Sequence, residues 1–384
     1  MAISQNFPNT RPSLNLNFAR SKTLDPRITF SRTNSTATYV DDNGLIVAAG
    51  ADEPRFDHDF ATGESLGLLV EEQRTNLLPY SVVSSTGWSI NASTVTANDA
   101  TAPDGTNTAA RIQVHSPGSS NGYVANLNLS VTSGTEYTFS FYVKSQSGSS
   151  GTWGINIYDH GGANIGHHRT DVNVTGEWTR VSYSYTPTSG TINVYVSDDR
   201  DNTASISDAY VWGAQVEAGG FPTSYIPNTG NSLGRTRTAD NVTMTGTNFS
   251  DWFNSSEGTI VVDSLVEYDP EATKFVYGIS GGSYDLSLRQ PHLTGAKFRA
   301  VIGGAFSSSP GTGGNAVNGS TTKAAVAYTS STGRLQVGDS GVDVTPGGAV
   351  DGNQLSIGTH NGRIKQLTYY PTRLSNTVLQ TLTK

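Results

Sequence analysis

Glu267, Asp269 and Glu271 occupy alternate positions, so in an extended strand all three carboxylates would share one face. That arrangement could supply a nucleophile, a helper and an acid for glycoside hydrolysis. The spacing argues against it. At ~3.3 Å per residue the Cα atoms of the outer pair sit ~13 Å apart, whereas retaining hydrolysis needs carboxyl groups only ~5 Å apart. Pro270 also removes a ladder donor from the run. A solvated acidic turn at a strand end is expected, and no catalytic residue is assigned.

Asp159-His160 and His167-His168-Arg169 bracket the Gly-rich stretch Gly161 to Gly166. Imidazoles beside an aspartate could bind zinc or copper, but adjacent histidines in a strand face opposite ways, so only one of that pair could join His160 at an ion. A polar, exposed loop tip is the plainer expectation. Glycan contact lies between the two, because imidazole, Trp153 and Tyr158 offer flat faces together with hydrogen bonds. Asp198-Asp199-Arg200-Asp201 and Asp208 are acidic groups near strand ends, where oxygen-rich clusters often hold calcium. No EF-hand loop is present, so calcium stays open and no other cofactor is expected. The 17 Tyr exceed what a core requires, and Tyr142, Tyr183 and Tyr195 occupy or adjoin strand faces. The candidate carbohydrate contacts are therefore Trp153, Tyr158, His160, His167, Tyr195, Asp199 and Arg200. No G-x-S-x-G, phosphate loop or H-E-x-x-H occurs.

The elements that must carry these residues are strands. Charged residues make up only 15% of the 384, while the 42 Gly and abundant Ser and Thr suit short strands joined by turns. A net charge of −8 makes duplex DNA a poor partner. Met1 to Phe7 lack a basic start followed by an apolar run, and no stretch reaches the ~18 apolar residues that span a bilayer, so neither ordinary secretion nor membrane insertion is expected. The absence of Cys excludes disulfides and thiolate chemistry.

Thr36 to Val40 and Leu45 to Ala49 flank Asp41-Asp42-Asn43-Gly44, a β-hairpin signal. Tyr123, Ala125, Leu127, Leu129 and Val131 share one parity, as do Tyr137 to Val143, Trp153 to Ile157 and Ile192 to Val196. These period-2 runs predict a two-sheet sandwich. Apolar periodicity fades between Glu217 and Asn241, and a second β unit follows, from Thr259 to Tyr369. A long Gly- and Ser-rich loop interrupts it at residues 303–320. Ser375 can cap the single predicted helix, Asn376 to Thr383, whose Val378, Leu379 and Leu382 form one stripe. The expected fold is all-β: an N-terminal attachment arm with a β-hairpin (1–75), a jelly roll (76–230) and a second sandwich (231–384).

Three stretches carry a family likeness. Leu24 to Arg32, Thr36 to Val40, Pro54 to Asp59 and Gly67 to Leu78 together resemble a module recurrent in tailed-bacteriophage and prophage structural proteins. Trp212 to Glu217, Phe221 to Pro227 and Arg237 to Asp240 are similar to the end of a carbohydrate-binding-module-like jelly roll. Gly362 to Leu367 and Tyr370 to Ser375 look like the last strand and short helix of a concanavalin A-like domain. The resemblance implies a non-enzymatic phage virion protein, assembled in host cytoplasm, released by lysis and displayed on the particle surface. Its implied partners are other virion proteins, host-surface polysaccharide and, by analogy with phage fibres, two further copies in a homotrimer. No fibre shaft precedes the arm, so a head fibre or a purely structural capsid or tail decoration protein stands beside a tail fibre; a polysaccharide depolymerase is the remaining alternative.

Overall fold

The computed structural model describes residues 10–34, 36–115, 122–199, 203–266, 274–281, 284–290, 298–306, 321–358 and 361–384. Among these the chain is all-β, with two sandwiches. Glu267, Asp269, Glu271, Arg200, Asp201 and most of the 303–320 loop lie outside the described residues. Among the described residues no helix is long and apolar enough to cross a membrane.

One sandwich pairs a sheet of Thr179–Tyr185, Tyr137–Ser145, Asp208–Ala218, Ala109–Val114 and Ser93–Ala100 with a sheet of Gly166–Val174, Gly151–Asp159, Thr191–Asp198, Tyr123–Ser130 and Ser89–Asn91. Alternation sends Phe139, Phe141 and Val143 inward from the first sheet, and Trp153, Ile155, Ile157, Val194 and Val196 inward from the second. The expected parity fails in Tyr123–Ser130. Register shifts fall between Val124 and Ala125 and between Asn126 and Leu129, and Asn128 has a φ of 60°. These irregularities turn Val124 and Leu129 into the core while Leu127 stays exposed.

The other sandwich is not made by residues 231–384 alone. Its larger sheet runs, in order, Ser340–Val344, Gly333–Val337, Thr321–Thr329, Glu257–Val266, Gly362–Tyr370, Ser65–Val70 and Arg55–His58, with Leu14–Asn17 also on Gly362–Tyr370. The facing sheet begins with Thr29–Ser31 beside Asn241–Thr245. Leu14, Leu16, Phe18, Ile28, Leu68 and Val70 belong to the same core as Ile260, Val326, Leu355 and Leu367. The leading segment, expected as a separate arm, is thus built into the C-terminal sandwich. The physical reason is that its alternating apolar residues find their partners across the sheet, and burying them there removes the row from water.

The jelly roll is therefore an insertion. Its two ends lie side by side, because Arg74–Asn76 pairs with Arg235–Arg237 and places Asn76 opposite Arg235. Around this pair sits a buried charged cluster. Arg55 meets Glu71 at 2.6 Å and also Asp240; Arg32 meets Asp240 at 3.0 Å and Arg237 meets Glu71 at 3.0 Å. Ser224, from the end of the jelly roll, donates its backbone N–H to Glu71 at 2.7 Å. Burial opposes ionisation of Glu71, but Arg237, Arg55 and the Ser224 hydrogen bonds outweigh it and hold the carboxyl far below its usual range.

The hairpin forms as Ala37–Val40 against Ile46–Ala49, with Asp41 accepting from the N–H of Asn43 and Leu45 inside the turn and Gly44 at φ 75°. The helix spans Asn376–Leu382 with the Ser375 hydroxyl accepting from Val378 N–H. It lays Val378, Leu379 and Leu382 over Ala325, Ala327 and Tyr370. Two single turns that the sequence reading did not anticipate, Phe18–Ser21 and Thr247–Ser250, each bury one Phe.

Candidate carbohydrate-binding face

The two outer faces of the jelly roll meet different fates. That of the sheet containing Tyr137–Ser145 is covered: Tyr142 and Trp212 pack with Tyr225 and with Phe60 of the leading segment, and the Thr38 hydroxyl donates to Tyr225 O at 2.6 Å. Among the described residues, the outer face of the sheet containing Gly151–Asp159 has no such cover.

Alternation decides what that open face presents. In Gly151–Asp159 the outward positions are Gly154, Asn156 and Tyr158. Register sets Tyr158 opposite His167 and Asn156 opposite Arg169 on one side, and Tyr158 opposite Asn193 and Asn156 opposite Tyr195 on the other. Tyr195 in turn lies opposite Ala125, two residues beyond Tyr123. The result is a continuous row of rings. Tyr123 meets Tyr195 at 5.5 Å, Tyr195 meets His167 at 6.0 Å, His167 meets Tyr158 at 4.5 Å and Tyr158 meets His160 at 5.0 Å. Crossing four strands takes three spacings of ~4.8 Å, so the row is ~14 Å long, the scale of an oligosaccharide. His160 and His167 are exposed, Tyr123 and Tyr158 half-buried, and Tyr195 only 4% exposed beneath its neighbours.

Polar side chains fix the floor under the rings. Asn156, fully buried, donates through Nδ2 to Asp198 Oδ2 at 2.7 Å and lies 2.7 Å from His167 Nδ1. Arg169 donates to Asp198 O at 2.8 Å and to Thr203 Oγ1 at 2.6 Å, and pairs with Asp171 at 3.0 Å. Asp199, 5% exposed, stands 3.9 Å from the same guanidinium. Gly154 makes room for Arg169: a Cβ there would sit 2.1 Å from Nη2. Asn128 N–H donates to Asn193 Oδ1 at 2.8 Å, which fixes that atom as the carbonyl oxygen. His160 therefore donates its Nε2 proton to the same oxygen at 2.8 Å. Cations and carboxylates on this face engage one another in its floor, leaving the exposed His160 and His167 imidazoles and the half-buried Tyr123 and Tyr158 rings as the groups offered outward.

Tyr158, His160, His167, Tyr195 and Asp199 thus converge on one face, although Asp199 contacts Arg169 from a buried position. Trp153 does not join them. It points inward, 1% exposed, and donates its indole N–H to Val196 O at 2.6 Å; its place among the alternating Ile155 and Ile157 makes it core. Arg200 lies outside the described residues. Asp159 is no metal ligand beside His160: its buried carboxylate accepts from Thr188 N–H at 2.7 Å, Tyr185 OH at 3.1 Å and the Ser189 hydroxyl. Burial alone would raise its pKa, but the Ser189, Thr188 and Gly161 hydrogen bonds outweigh burial and lower it to about 2. His168 turns to the other face, with Nε2 2.9 Å from Tyr185 OH. Asp208 belongs to the opposite sheet, paired with Arg111 at 2.6 Å. Among the described residues no three His, Asp or Glu gather as a metal site. Tyr123, Asn156, Arg169 and Asn193 are the members that sequence reasoning missed. The amides alternate with core isoleucines or valines, a usable signal, whereas the register shifts hid Tyr123.

A family model described as a carbohydrate binding domain matches residues 84–197, less than half of the chain and most of this sandwich. Among solved structures, a sialidase from Trypanosoma rangeli is similar at 16% identity over 37% of this chain and 25% of that one, with a TM-score of 0.30. The chain thus covers about a quarter of that sialidase's length. The CBM22-1 xylan-binding domain from Paenibacillus barcinonensis Xyn10C is similar at 16% identity over 38% of this chain and 92% of that one, with a TM-score of 0.28. The Clostridium thermocellum Xyn10B CBM22-1 and GH10 modules, complexed with xylohexaose, are similar at 16% identity over 40% and 30% respectively, with a TM-score of 0.29. No curated protein matches the chain.

Proposed function

We propose that the open face of the jelly roll binds an uncharged stretch of glycan without cleaving it. The observation that carries this reading is the ring row Tyr123–Tyr195–His167–Tyr158–His160 over an internally hydrogen-bonded floor, within the region matched by the carbohydrate-binding model. Aromatic rings suit sugar C–H groups, and prepositioned imidazoles suit hydroxyls. Binding without turnover is supported by the face's own carboxylates: Asp171 and Asp199 lie against the Arg169 guanidinium and Asp198 accepts from Asn156, so each is engaged within the floor.

The setting we propose is the surface of a phage particle, where the protein contacts host polysaccharide as a homotrimer. Its support is the resemblance of residues 24–78 to virion proteins. Several copies per particle would turn a weak sugar contact into avidity. A glycan array followed by titration of the best oligosaccharide tests the binding, with Tyr158→Ala and His167→Ala each weakening it roughly tenfold and no reducing ends released. Binding unchanged by both substitutions, or released reducing ends, refutes the reading. Antibody labelling of intact particles tests the setting, and light scattering that shows a monomer removes the trimer.

A further inference from the structure

A second cleft lies where the hairpin of the leading segment meets the jelly roll, away from the open face. It encloses about 490 Å³ and is walled by Leu45, Phe60, Pro103, Lys144, Glu177 and Trp178. Two hydrogen bonds pin its walls: Ile46 N–H to Pro103 O at 3.0 Å and the Trp178 indole N–H to Thr101 O at 3.2 Å. The cleft is therefore built by both sandwiches and preformed, the kind of location in which ligand sites concentrate.

Its chemistry differs from that of the open face. Lys144 stands on the outward side of Tyr137–Ser145 with its ammonium 5.0 Å from the Trp178 ring and 5.5 Å from the Tyr210 ring. Aromatic faces hold the cation in place but accept none of its three N–H donors in the way an oxygen would. No carboxylate pairs with it among the described residues, although the chain carries a net charge of −8. Glu177 contributes a carboxylate to the same cleft and does not pair with Lys144. One fixed cation, one acceptor and the Trp178 and Phe60 rings then face a single cavity.

We propose that this cleft binds an acidic sugar, its carboxylate on the Lys144 ammonium, a hydroxyl on Glu177 and its ring against Trp178 and Phe60. A neutral sugar offers the ammonium hydroxyl acceptors but no opposite charge. A hexuronate supplies a carboxylate for Lys144 and hydroxyl donors for Glu177.

The test uses the full-length protein and trigalacturonate, with galactotriose as the neutral control, followed by calorimetric titration at low and high salt. Expected are tighter binding of trigalacturonate than of galactotriose and weakening by added salt. A loss of at least tenfold is expected in Lys144→Met, which keeps the stem over the rings, and in Trp178→Ala, with Tyr158→Ala on the open face leaving this binding unchanged. Equal affinity for the two trisaccharides overturns the proposal, as does no binding at millimolar concentration or a loss in Tyr158→Ala without one in Lys144→Met. Because the open face is tested by its own variants, failure here leaves the reading of that face standing, and the converse holds.

Discussion

Trp153 and Tyr158 sit five residues apart on one strand and do opposite work, because five is odd and alternation sends them to opposite faces. Trp153→Ala would empty a core site and is expected to cost ~3–5 kcal/mol of stability, read as a lower denaturant midpoint. Tyr158→Ala should leave that midpoint nearly unchanged while weakening glycan by roughly tenfold, ~1.4 kcal/mol. Asp159 adds a pH dependence of known sign. Its folded pKa of about 2 lies below the ordinary 3.8, so its contribution to stability is full above the ordinary value and is lost as pH falls from about 4 toward 2. Thermal melts of the wild type and Asp159→Asn should differ most at pH 6 and draw together as pH falls from about 4 toward 2. Residue types for the site were legible in the sequence, since His160, His167 and Tyr158 announce themselves. Their company was not: Asn156 and Asn193 are common polar residues until register brings them beneath a ring.

At the scale of elements, strand alternation carried most of the reading. The runs Tyr137 to Val143 and Ile192 to Val196 bury the side predicted for them. Tyr123 to Val131 misleads because a bulge changes parity without changing composition, and only the partner strand reveals it. The motif residues behind the family likeness, Arg32, Arg55, Glu71, Ser224, Arg237 and Asp240, prove to be the charged cluster at the base of the inserted jelly roll. They are framework and not a ligand site. Glu71→Gln would leave Arg55 and Arg237 buried beside a neutral amide, and a loss of ~3–5 kcal/mol is expected in chemical denaturation. Affinity for glycan on the open face should survive in the fraction that stays folded.

For the whole molecule, the chain order of the strands differs from their order in space. Local patterns predict strands well but say little about which distant strand will be a neighbour, so the leading segment reads as an arm although Leu14–Asn17 lies beside Gly362–Tyr370. Deleting residues 1–75 should therefore not release two intact sandwiches. It removes Leu14, Leu16, Phe18, Ile28, Leu68 and Val70 from the core, and the truncated protein is expected to lose the cooperative melt of the larger sandwich by calorimetry. A cooperative transition retained at the wild-type temperature would contradict the insertion topology.

The pairing of Leu14 with Tyr369 also governs how the protein bears a pull. Tension entering near residue 14 and leaving near residue 369 passes directly between two adjacent strands, tending to peel them apart one hydrogen bond at a time. The inserted unit hangs from two neighbouring strands off that line of force, so such a pull would strain the larger sandwich while the jelly roll keeps its shape.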